Sequence, residues 1–441
     1  MVRMYSFSKY YKKINIDDKN IAIFNSLIRE IYFCDKETLS KIESGKISSK
    51  YKRKLKEAGI IIQSNKDDEI LLSEFRSAFE KEHTNINLVY IIPSLICNLQ
   101  CDYCYVYQND KNSKHISKKN YMNTDIIDCF LDKYILYLKE RRIKSATIQF
   151  YGGEPCCNWN IIEYCVSKAK QKFPFTFVII TNGTLLDDNK IQFIKKNNIG
   201  LGVSLDGTKE MTDLHRKFVG SEKSVFDEVI LNIRKIKKAG IKLALSVTIT
   251  EDFLLYQNEI LDFFEKIEIQ NINYNLLHFH KSAINLDKYY EKATIFLIHS
   301  FERLGKKGIM DDRIIRKIDA FSSDIFYYGD CGVVYANQIV IKPNGAISVC
   351  QGECLSDNHE IGNILTTDFN SIVQNKERLE WKNNATIYNQ YCLECEAVSI
   401  CGGGCCLQAK EIENSNNIDY GFCIHTKKLF FWLIQKLFMM E

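Results

Sequence analysis

The sequence lacks a long hydrophobic run and a secretion signal. Its N-terminal segment, MVRMYSFSKYYKKINIDDKN, contains no apolar stretch, and no segment reaches the roughly 20 apolar residues that span a bilayer. We therefore expect a cytoplasmic protein with no membrane partner. The formal net charge is only +4, and Lys alternates with Asp and Glu without forming a basic block. Charge therefore gives no reason to expect a nucleic-acid partner.

Cysteine, in contrast, is abundant. The chain has 17 cysteines in 441 residues. Because the cytosol keeps thiols reduced, a disulfide framework is a poor explanation for them, and metal binding is a better one. Most of them fall into two groups, Cys97 to Cys104 and Cys331 to Cys423. Such clustering is typical of metal ligands.

Between about residues 87 and 305, short β-rich runs alternate with longer amphipathic runs. This alternation predicts βα repeats and a parallel sheet. We therefore expect an α/β protein built on a partial, TIM-like barrel of six βα units over residues 86–310. In such barrels the chemistry lies at the carboxyl ends of the strands. The predicted strands are 88–95, 146–151, 175–181, 200–206, 242–250 and 272–277.

Further regions flank the predicted barrel. Residues 1–85 combine short strands with three helices, a layout like that of a small winged-helix domain. Residues 325–425 are punctuated by Cys and Gly, as expected of a domain organised around metal rather than a large apolar core. Residues 426–441 predict an apolar-rich helix that is too short to cross a membrane. We expect it to pack against the protein, and contact with a membrane surface is the alternative.

Three thiols directly follow the first predicted strand, at Cys97, Cys101 and Cys104. A fully protected 4Fe-4S cluster takes four Cys ligands, so three ligands leave one iron open to a small molecule. The alternative is a zinc site with a distant fourth ligand. Zinc sites usually combine two CxxC pairs, or one such pair with a His pair, and no His pair lies nearby.

The CxxxCxxC spacing, with the aromatic Tyr103 before its last Cys, resembles the defining motif of the radical S-adenosylmethionine (SAM) superfamily. The resemblance implies a cluster at this motif that binds and reduces SAM. It further implies that the resulting 5′-deoxyadenosyl radical abstracts hydrogen from a substrate, which no side chain achieves alone. A flavodoxin-like or ferredoxin-like electron donor is also implied.

Other segments resemble cofactor contacts of the same superfamily. The run Gly152-Gly153-Glu154-Pro155 ends the second strand, where an edge without side chains lets the backbone approach the methionine group. Ser204 and Asp206 lie in the SLDG segment that ends the fourth strand and is similar to a ribose or carboxylate contact. Arg216 resembles an Arg that pairs with the cofactor carboxylate. A plain surface ion pair is the alternative for Arg216.

The second cysteine group resembles the seven-cysteine SPASM domain. The resemblance implies two auxiliary 4Fe-4S clusters, and thus three clusters in all. The fourth ligand of one auxiliary cluster stays open between Cys354, an outside ligand and a substrate thiolate. Cys406 is interpreted as a bystander. The implied ligand sets are Cys392, Cys395, Cys401 and Cys423 for one cluster, and Cys331, Cys350 and Cys405 for the other.

SPASM enzymes mostly modify peptides or proteins, and the N-terminal extension resembles the precursor-recognition domain of ribosomal-peptide maturases. Such domains bind a leader peptide by adding it as a strand to their sheet. We therefore predict a maturase that installs a thioether or carbon-carbon crosslink in a ribosomally made precursor peptide. A structural or dimerising extension is the alternative for residues 1–85.

Two other functions compete with this prediction. One is an anaerobic sulfatase-maturing enzyme, but the relatives of that type carry an Asp directly after the second SPASM cysteine, where this chain has Gln351. The other is an iron-sulfur redox sensor whose winged helix binds DNA. The predicted N-terminal helices are not especially basic on one face, and a sensor does not need the GGEP and SLDG segments.

Several single residues at strand ends face the predicted pocket. Tyr151, Thr181 and Asn182 end the second and third strands and should shape it. His278 and His280 end the sixth strand, and we interpret them as hydrogen-bonded structural residues. Contact with the substrate or adenine is the alternative for both.

Overall fold

The N-terminal region forms two small antiparallel sheets with three helices. The computed structural model describes residues 5–82, 84–108, 120–278, 286–357, 359–412 and 417–440. In the first range, β3 lies between β2 and β4, and β1 pairs with β5. The elements are β1 (Ser6–Phe7), β2 (Tyr11–Asn15), β3 (Asn20–Asn25), β4 (Ile31–Asp35), α1 (Lys36–Glu43), α2 (Ser49–Glu57), β5 (Ile61–Ile62) and α3 (Asn65–Lys81).

Local sequence explains where the first helices begin. Asp35 accepts a hydrogen bond from the backbone of Thr38, and Ser48 accepts one from Tyr51. These N-caps satisfy backbone N–H groups that lack partners within the helix. The strands and helices predicted over residues 1–85 are present in the structure. Their assignment as a winged-helix domain stays a prediction.

The middle of the chain carries six parallel strands, as predicted from the alternating pattern. The strands are joined edge to edge in chain order, and a short seventh strand extends one edge. The elements are β6 (Leu88–Ser94), α4 (Tyr105–Gln108), α5 (Thr124–Glu140), β7 (Ala146–Gly152), α6 (Trp159–Ala169), β8 (Phe175–Thr181), α7 (Asp188–Asn197), β9 (Gly200–Ser204), α8 (Lys209–His215), α9 (Val225–Lys238), β10 (Leu243–Ile249), α10 (Glu251–Leu255), α11 (Gln257–Lys266), β11 (Asn271–Leu276), α12 (Leu286–Gly305) and β12 (Met310–Asp311).

The C-terminal region continues the same sheet. Strand β13 pairs in parallel with β6, with Gln338 opposite Leu88, and β14 and β15 follow in antiparallel order. The sheet therefore has ten strands and runs across the predicted domain boundary. The elements are α13 (Asp312–Ser322), β13 (Gln338–Ile341), β14 (Ala346–Ser348), β15 (Glu360–Asn363), α14 (Phe369–Val373), α15 (Lys376–Glu380), α16 (Gln390–Leu393), α17 (Val398–Cys401), α18 (Cys406–Ile412) and α19 (Tyr420–Met440).

The last helix differs from the prediction, because α19 begins at Tyr420 and not at residue 426. Its first turn contains Gly421, and a Cβ there would lie 2.0 Å from the Tyr290 ring. Glycine is therefore needed for helix α19 to pack on α12, although in a sequence it reads as a helix breaker. Among the helices that the structure describes, none is long and apolar enough to cross a membrane.

One hydrophobic core runs through all three regions. Phe24 of the N-terminal region, Ile148 of β7, and Ile339 and Phe430 of the C-terminal region belong to a single cluster of buried side chains. The expectation that the Cys-rich region lacks a large apolar core was wrong. It shares the core of the barrel because β13 extends the barrel sheet.

Candidate functional site

The carboxyl ends of the parallel strands surround a cavity of about 440 Å³. This volume lies in the range of small-molecule sites. Two predicted residues, Pro155 and Asp206, are buried outside its wall. The residues predicted from sequence that do line it are Cys97, Cys101, Tyr103, Cys104, Gly152, Gly153, Glu154, Ser204 and Arg216, together with Tyr151, Thr181, Asn182 and His278. His280 lies outside the described residues.

The loop that carries the three cysteines is fixed by backbone pairing with a distant segment. Gln100 N–H donates to the Lys217 carbonyl at 2.8 Å, and Val219 N–H donates to the Asn98 carbonyl at 3.0 Å. Asp102 N–H donates to the carbonyl of His215 at 3.2 Å. These bonds hold the loop in one conformation at the end of β6, so its thiols are positioned before any ligand binds.

A side-chain contact that the sequence did not reveal strengthens this pairing. His215 is buried, and its Nδ1 lies 3.0 Å from an Asp102 carboxylate oxygen. Its Nε2 lies 3.2 Å from Thr250 Oγ1. Because Asp102 stands between two of the motif cysteines, His215 holds the cysteine loop against the start of α10.

Glu154 is fully buried and its carboxylate is occupied by neighbours within the protein. Oε1 accepts hydrogen bonds from Thr181 Oγ1 at 2.6 Å and Cys156 N–H at 2.9 Å, and Oε2 accepts one from Asn182 N–H at 2.7 Å. Burial raises the pKa of Glu154, and these hydrogen bonds act in the opposite direction. Glu154 thus ties the end of β7 to the end of β8, in addition to lining the cavity.

Gly152 is required by the packing of the protein itself. Its φ is +129°, and a Cβ would lie 2.7 Å from both Ile92 Cγ2 and the Ser94 carbonyl oxygen. The sequence interpretation attributed this glycine to close approach of a cofactor. The structure adds that strand β6 already fills the space where a side chain would stand.

Replacing Gly152 with Ala should destabilise the protein by about 2 kcal/mol, because the substitution combines backbone strain with a steric clash. The measurement is the urea unfolding midpoint under anaerobic conditions. The control is Gly305→Ala at the end of α12, where φ is ordinary and no atom lies within 4 Å of the added Cβ. Equal midpoints for the two variants would contradict the packing argument.

Arg216 and Asp206 form a buried ion pair beside the cavity. The Nε–Oδ2 distance is 2.7 Å and the Nη2–Oδ1 distance is 3.0 Å. Asp206 also accepts hydrogen bonds from Thr248 N–H at 2.9 Å and from the Tyr103 hydroxyl. The surface ion pair considered for Arg216 is therefore wrong, because its partner is a buried carboxylate. Asp206 and Tyr103 orient the guanidinium group at the cavity wall.

Sequence reasoning missed several polar residues of the cavity. They occupy alternate positions of the strands and line the barrel cavity, and all of them are half-buried except Asn273, which is exposed. A period of two within otherwise apolar strands could have identified them. They are Gln149, Ser246, Thr248, Asn273 and Asn275.

The three thiols line one cavity, and thiolates are the ligands that hold iron-sulfur clusters. Within the described ranges, no group of three His, Cys, Asp or Glu side chains is arranged to hold a single metal ion. Burial raises the pKa of the Cys101 thiol to about 11 and raises that of Cys97 as well. A bound cation would therefore be needed to hold both as thiolates at neutral pH.

The second cysteine group forms two sets in space, and their members are those that the SPASM resemblance implied. One set surrounds a small cavity beside the start of α19, and burial raises the pKa of each of its thiols. The donor set therefore fits a fully protected 4Fe-4S cluster. Its members are Cys392, Cys395, Cys401 and Cys423.

The other set lies around a cavity of about 160 Å³ between the barrel and the C-terminal region. Cys331, Cys350 and Cys405 line this cavity, and so does Cys406. Cys354 is buried elsewhere, in an apolar cluster next to Cys104. The structure therefore places three predicted ligands together and adds a thiol that sequence reasoning had set aside.

A buried lysine connects the two sets of the C-terminal region. The Lys317 ammonium group donates to Asp330 Oδ1 at 2.9 Å and to the Cys401 carbonyl at 2.7 Å. Asp330 directly precedes Cys331, so one cation links the loops of both ligand sets. The side chain of Lys317 is 1% exposed. Its charge is therefore neutralised by these partners rather than by water.

The barrel cavity and the Cys331 cavity adjoin each other. The walls of both contain Gln351 and His278, together with the end of β11 at residues 275–277. Tyr105 stacks on His278 and shares a hydrogen bond of 2.6 Å with the Tyr151 hydroxyl. A molecule that fills the junction would thus contact both sites.

Comparisons with known proteins agree with this geometry. Residues 91–265 match the model of the Radical SAM superfamily, and residues 331–396 match that of SPASM, an iron-sulfur cluster-binding domain. The chain is 23% identical to the radical SAM cyclopropyl synthase TigE of Paramaledivibacter caminithermalis, over 97% of this chain and 95% of that protein. It is 22% identical to the cysteine-type anaerobic sulfatase-maturating enzyme of Clostridium perfringens, over 77% of this chain and 94% of that enzyme.

Solved structures support the fold. The structure of native anSMEcpe with bound AdoMet has a TM-score of 0.67 at 18% identity, covering 80% of this chain and 98% of that one. Streptococcus suis SuiB bound to precursor peptide SuiA has a TM-score of 0.56 at 15% identity, covering 95% of this chain and all of that one. The two family matches and the grouping of the motif residues in one cavity identify the chain as an enzyme of the radical SAM superfamily that carries a SPASM domain.

Proposed function

We propose that the protein is a peptide maturase, which uses SAM to remove two hydrogens from a precursor peptide and to join the two atoms that lost them. The new bond is a thioether or a carbon-carbon bond. The observation that carries the proposal is that the barrel cavity and the Cys331 cavity adjoin and share wall residues, among them His278 and Gln351. A peptide side chain bound against these shared residues would lie between the SAM site of the barrel and the auxiliary cluster of the Cys331 cavity.

The N-terminal region supports a peptide substrate. The similarity to SuiB and to TigE extends over at least 95% of this chain, whereas the similarity to the sulfatase-maturating enzyme covers 77% of it. The SuiB structure contains a bound precursor peptide, SuiA. In this chain, β2 and β4 each pair only with β3 among the described strands. We propose that residues 1–85 bind the leader of the precursor as an added strand.

The residues of this chain have defined roles in the proposal. Cys97, Cys101 and Cys104 hold the first cluster, and the two ligand sets of the SPASM domain hold two auxiliary clusters. When bound, the first cluster would supply the electron that cleaves SAM into methionine and a 5′-deoxyadenosyl radical, and an auxiliary cluster would accept the electron left on the peptide when its second hydrogen leaves as a proton. Gly153 leaves the cavity edge free of a side chain for the cofactor. A ferredoxin-like or flavodoxin-like protein is the proposed electron donor.

Aromatic side chains at the junction would exclude water from the reacting atoms. The hydroxyl groups of Tyr105 and Tyr151 share a hydrogen bond of 2.6 Å, and both side chains line the barrel cavity. The rings of Tyr105 and His278 form one continuous wall. An apolar wall of this kind protects a reactive radical from side reactions.

One residue argues against the sulfatase-maturing alternative. Gln351 lies in the wall that the two cavities share, at the position where enzymes of that type carry an Asp. Its Oε1 accepts a hydrogen bond from Gln338 Nε2 at 3.1 Å. An amide does not take up a proton at neutral pH. Gln351 is therefore unable to act as a general base at this place.

An anaerobic assay tests the proposed function. The protein is reconstituted with iron and sulfide, reduced, and mixed with SAM and a synthetic Cys-containing precursor peptide. We expect formation of 5′-deoxyadenosine together with a peptide lighter by two hydrogens. Tandem mass spectrometry then locates the new bond.

The same assay with a peptide that lacks its leader segment serves as the control. We expect the modification to slow strongly without the leader, while cofactor cleavage persists. If a sulfatase-derived peptide is converted to formylglycine instead, the maturase proposal is wrong and the alternative holds.

A further inference from the structure

The cavity of Cys331, Cys350 and Cys405 contains a fourth thiol from the protein itself. Cys406 lines the same cavity and is 8% exposed. All four thiols therefore border one space, and a cube-shaped cluster takes four.

The backbone explains how two neighbouring cysteines reach one cavity. Gly402, Gly403 and Gly404 all have φ between 72° and 81°, a conformation that favours glycine. A Cβ at Gly402 would lie 2.6 Å from Asp330 N, and one at Gly404 would lie 2.7 Å from Phe422 Cβ. This tight left-handed segment ends at the cavity, and α18 begins at Cys406. The turn therefore delivers both thiols to the cavity wall.

Cys354, one of the alternatives that the sequence left open, is directed elsewhere. It is 1% exposed and packs with Ile92, Val106 and Val340, with Cys104 beside this group. It is not among the described residues that line the Cys331 cavity. To become a ligand there, it would have to leave a packed apolar environment, which costs free energy.

The carboxylates of the cavity wall are already engaged. Asp419 accepts hydrogen bonds from Cys405 N–H at 3.0 Å and Phe422 N–H at 3.1 Å. Asp330 is paired with Lys317 at 2.9 Å. Both carboxylates thus stabilise the turn and its surroundings. Among the thiols and carboxylates of this wall, the thiol of Cys406 is the best fourth donor.

We propose that Cys406 is the fourth protein ligand of the auxiliary cluster held by Cys331, Cys350 and Cys405, and that Cys354 is not a ligand. The proposal rests on the auxiliary clusters of the proposed function. A cluster with four cysteine ligands has no iron open to a substrate thiol. This cluster would then exchange electrons with the reacting peptide without binding it.

The test uses the full chain without its first cluster. In a background with Cys97, Cys101 and Cys104 all changed to Ala, the reduced auxiliary clusters are studied by electron paramagnetic and electron-nuclear double resonance. The probe is ¹³C-labelled cyanide, which binds an iron that lacks a protein ligand. We expect no ¹³C coupling when Cys406 is present or when Cys354 is Ala. Coupling should appear for Cys406→Ala.

Cyanide coupling in the protein that retains Cys406 would overturn the proposal, and so would coupling caused by Cys354→Ala. Loss of one cluster in Cys406→Ala but not in Cys354→Ala would support it. Cys406→Ser keeps the size of the side chain, and its weaker oxygen donor should change the spectrum of one cluster. An unchanged Cys406→Ser spectrum would contradict the ligand assignment. Absence of any cluster signal before substitution would overturn the auxiliary clusters themselves.

Discussion

Replacing Cys97 with Ala should reduce the formation of 5′-deoxyadenosine from SAM to background. Cys97 lies at the cavity wall, where its sulfur accepts a hydrogen bond from Leu99 N–H at 3.4 Å and Asn182 Nδ2 lies 3.8 Å away. Alanine provides no ligand, and two thiols do not hold a cluster that needs three. The measurements are iron content, visible absorption and chromatographic detection of 5′-deoxyadenosine after anaerobic reconstitution.

Cys34→Ala is the matched control for this experiment. Cys34 is a half-buried thiol of β4 in the N-terminal region, outside the cavities described above. We expect this variant to bind iron and to cleave SAM as the unchanged protein does. Full cofactor cleavage by Cys97→Ala would show that the first cluster is not where the motif and the cavity place it.

Replacing Asp206 with Asn should destabilise the protein by about 3–5 kcal/mol, because it leaves the buried Arg216 guanidinium without its counter-charge. Both side chains of the pair are at most 8% exposed. An amide also loses one of the acceptors that Arg216, Tyr103 and Thr248 now use. The measurement is the urea unfolding midpoint, combined with calorimetric titration of SAM, whose affinity should fall as the orientation of Arg216 is lost.

The matched control is Asp132→Asn. Asp132 pairs with Lys172 at 3.0 Å, but both side chains are largely exposed to water. Loss of such a pair costs at most about 1 kcal/mol, because water solvates the remaining charge. If the two variants unfold at the same urea concentration, the ion pair of Asp206 and Arg216 contributes no more than a surface pair.

The repeating pattern of the sequence was enough to locate the barrel strands. All six predicted strands are present, and their ends lie within two residues of the prediction. This success has a local cause, since alternating side chains and helix caps act over a few residues. The helix α19 was misplaced at its start because its glycine is explained only by Tyr290, which is distant in the chain.

The residues of the functional site were likewise predicted only in part. The spacing of Cys97, Cys101 and Cys104 identified these thiols, because ligands of one cluster that lie on the same short loop must keep a fixed separation in sequence. The buried partner of Arg216 was not identified, and neither was the contact between Asp102 and His215. These pairs depend on how loops from different strands meet, which spacing does not record.

The sequence by itself determined the parallel strands, the two groups of cysteines and the type of cofactor chemistry, since each of these rests on short, regular patterns. The tertiary structure decided which thiols share a cavity. Cys354 follows Cys350 by four residues and Cys406 directly follows Cys405, and the left-handed glycine turn brings only Cys406 to the cavity of Cys331. The path of the backbone, and not the spacing of residues, sets the distance between groups that are far apart in the chain.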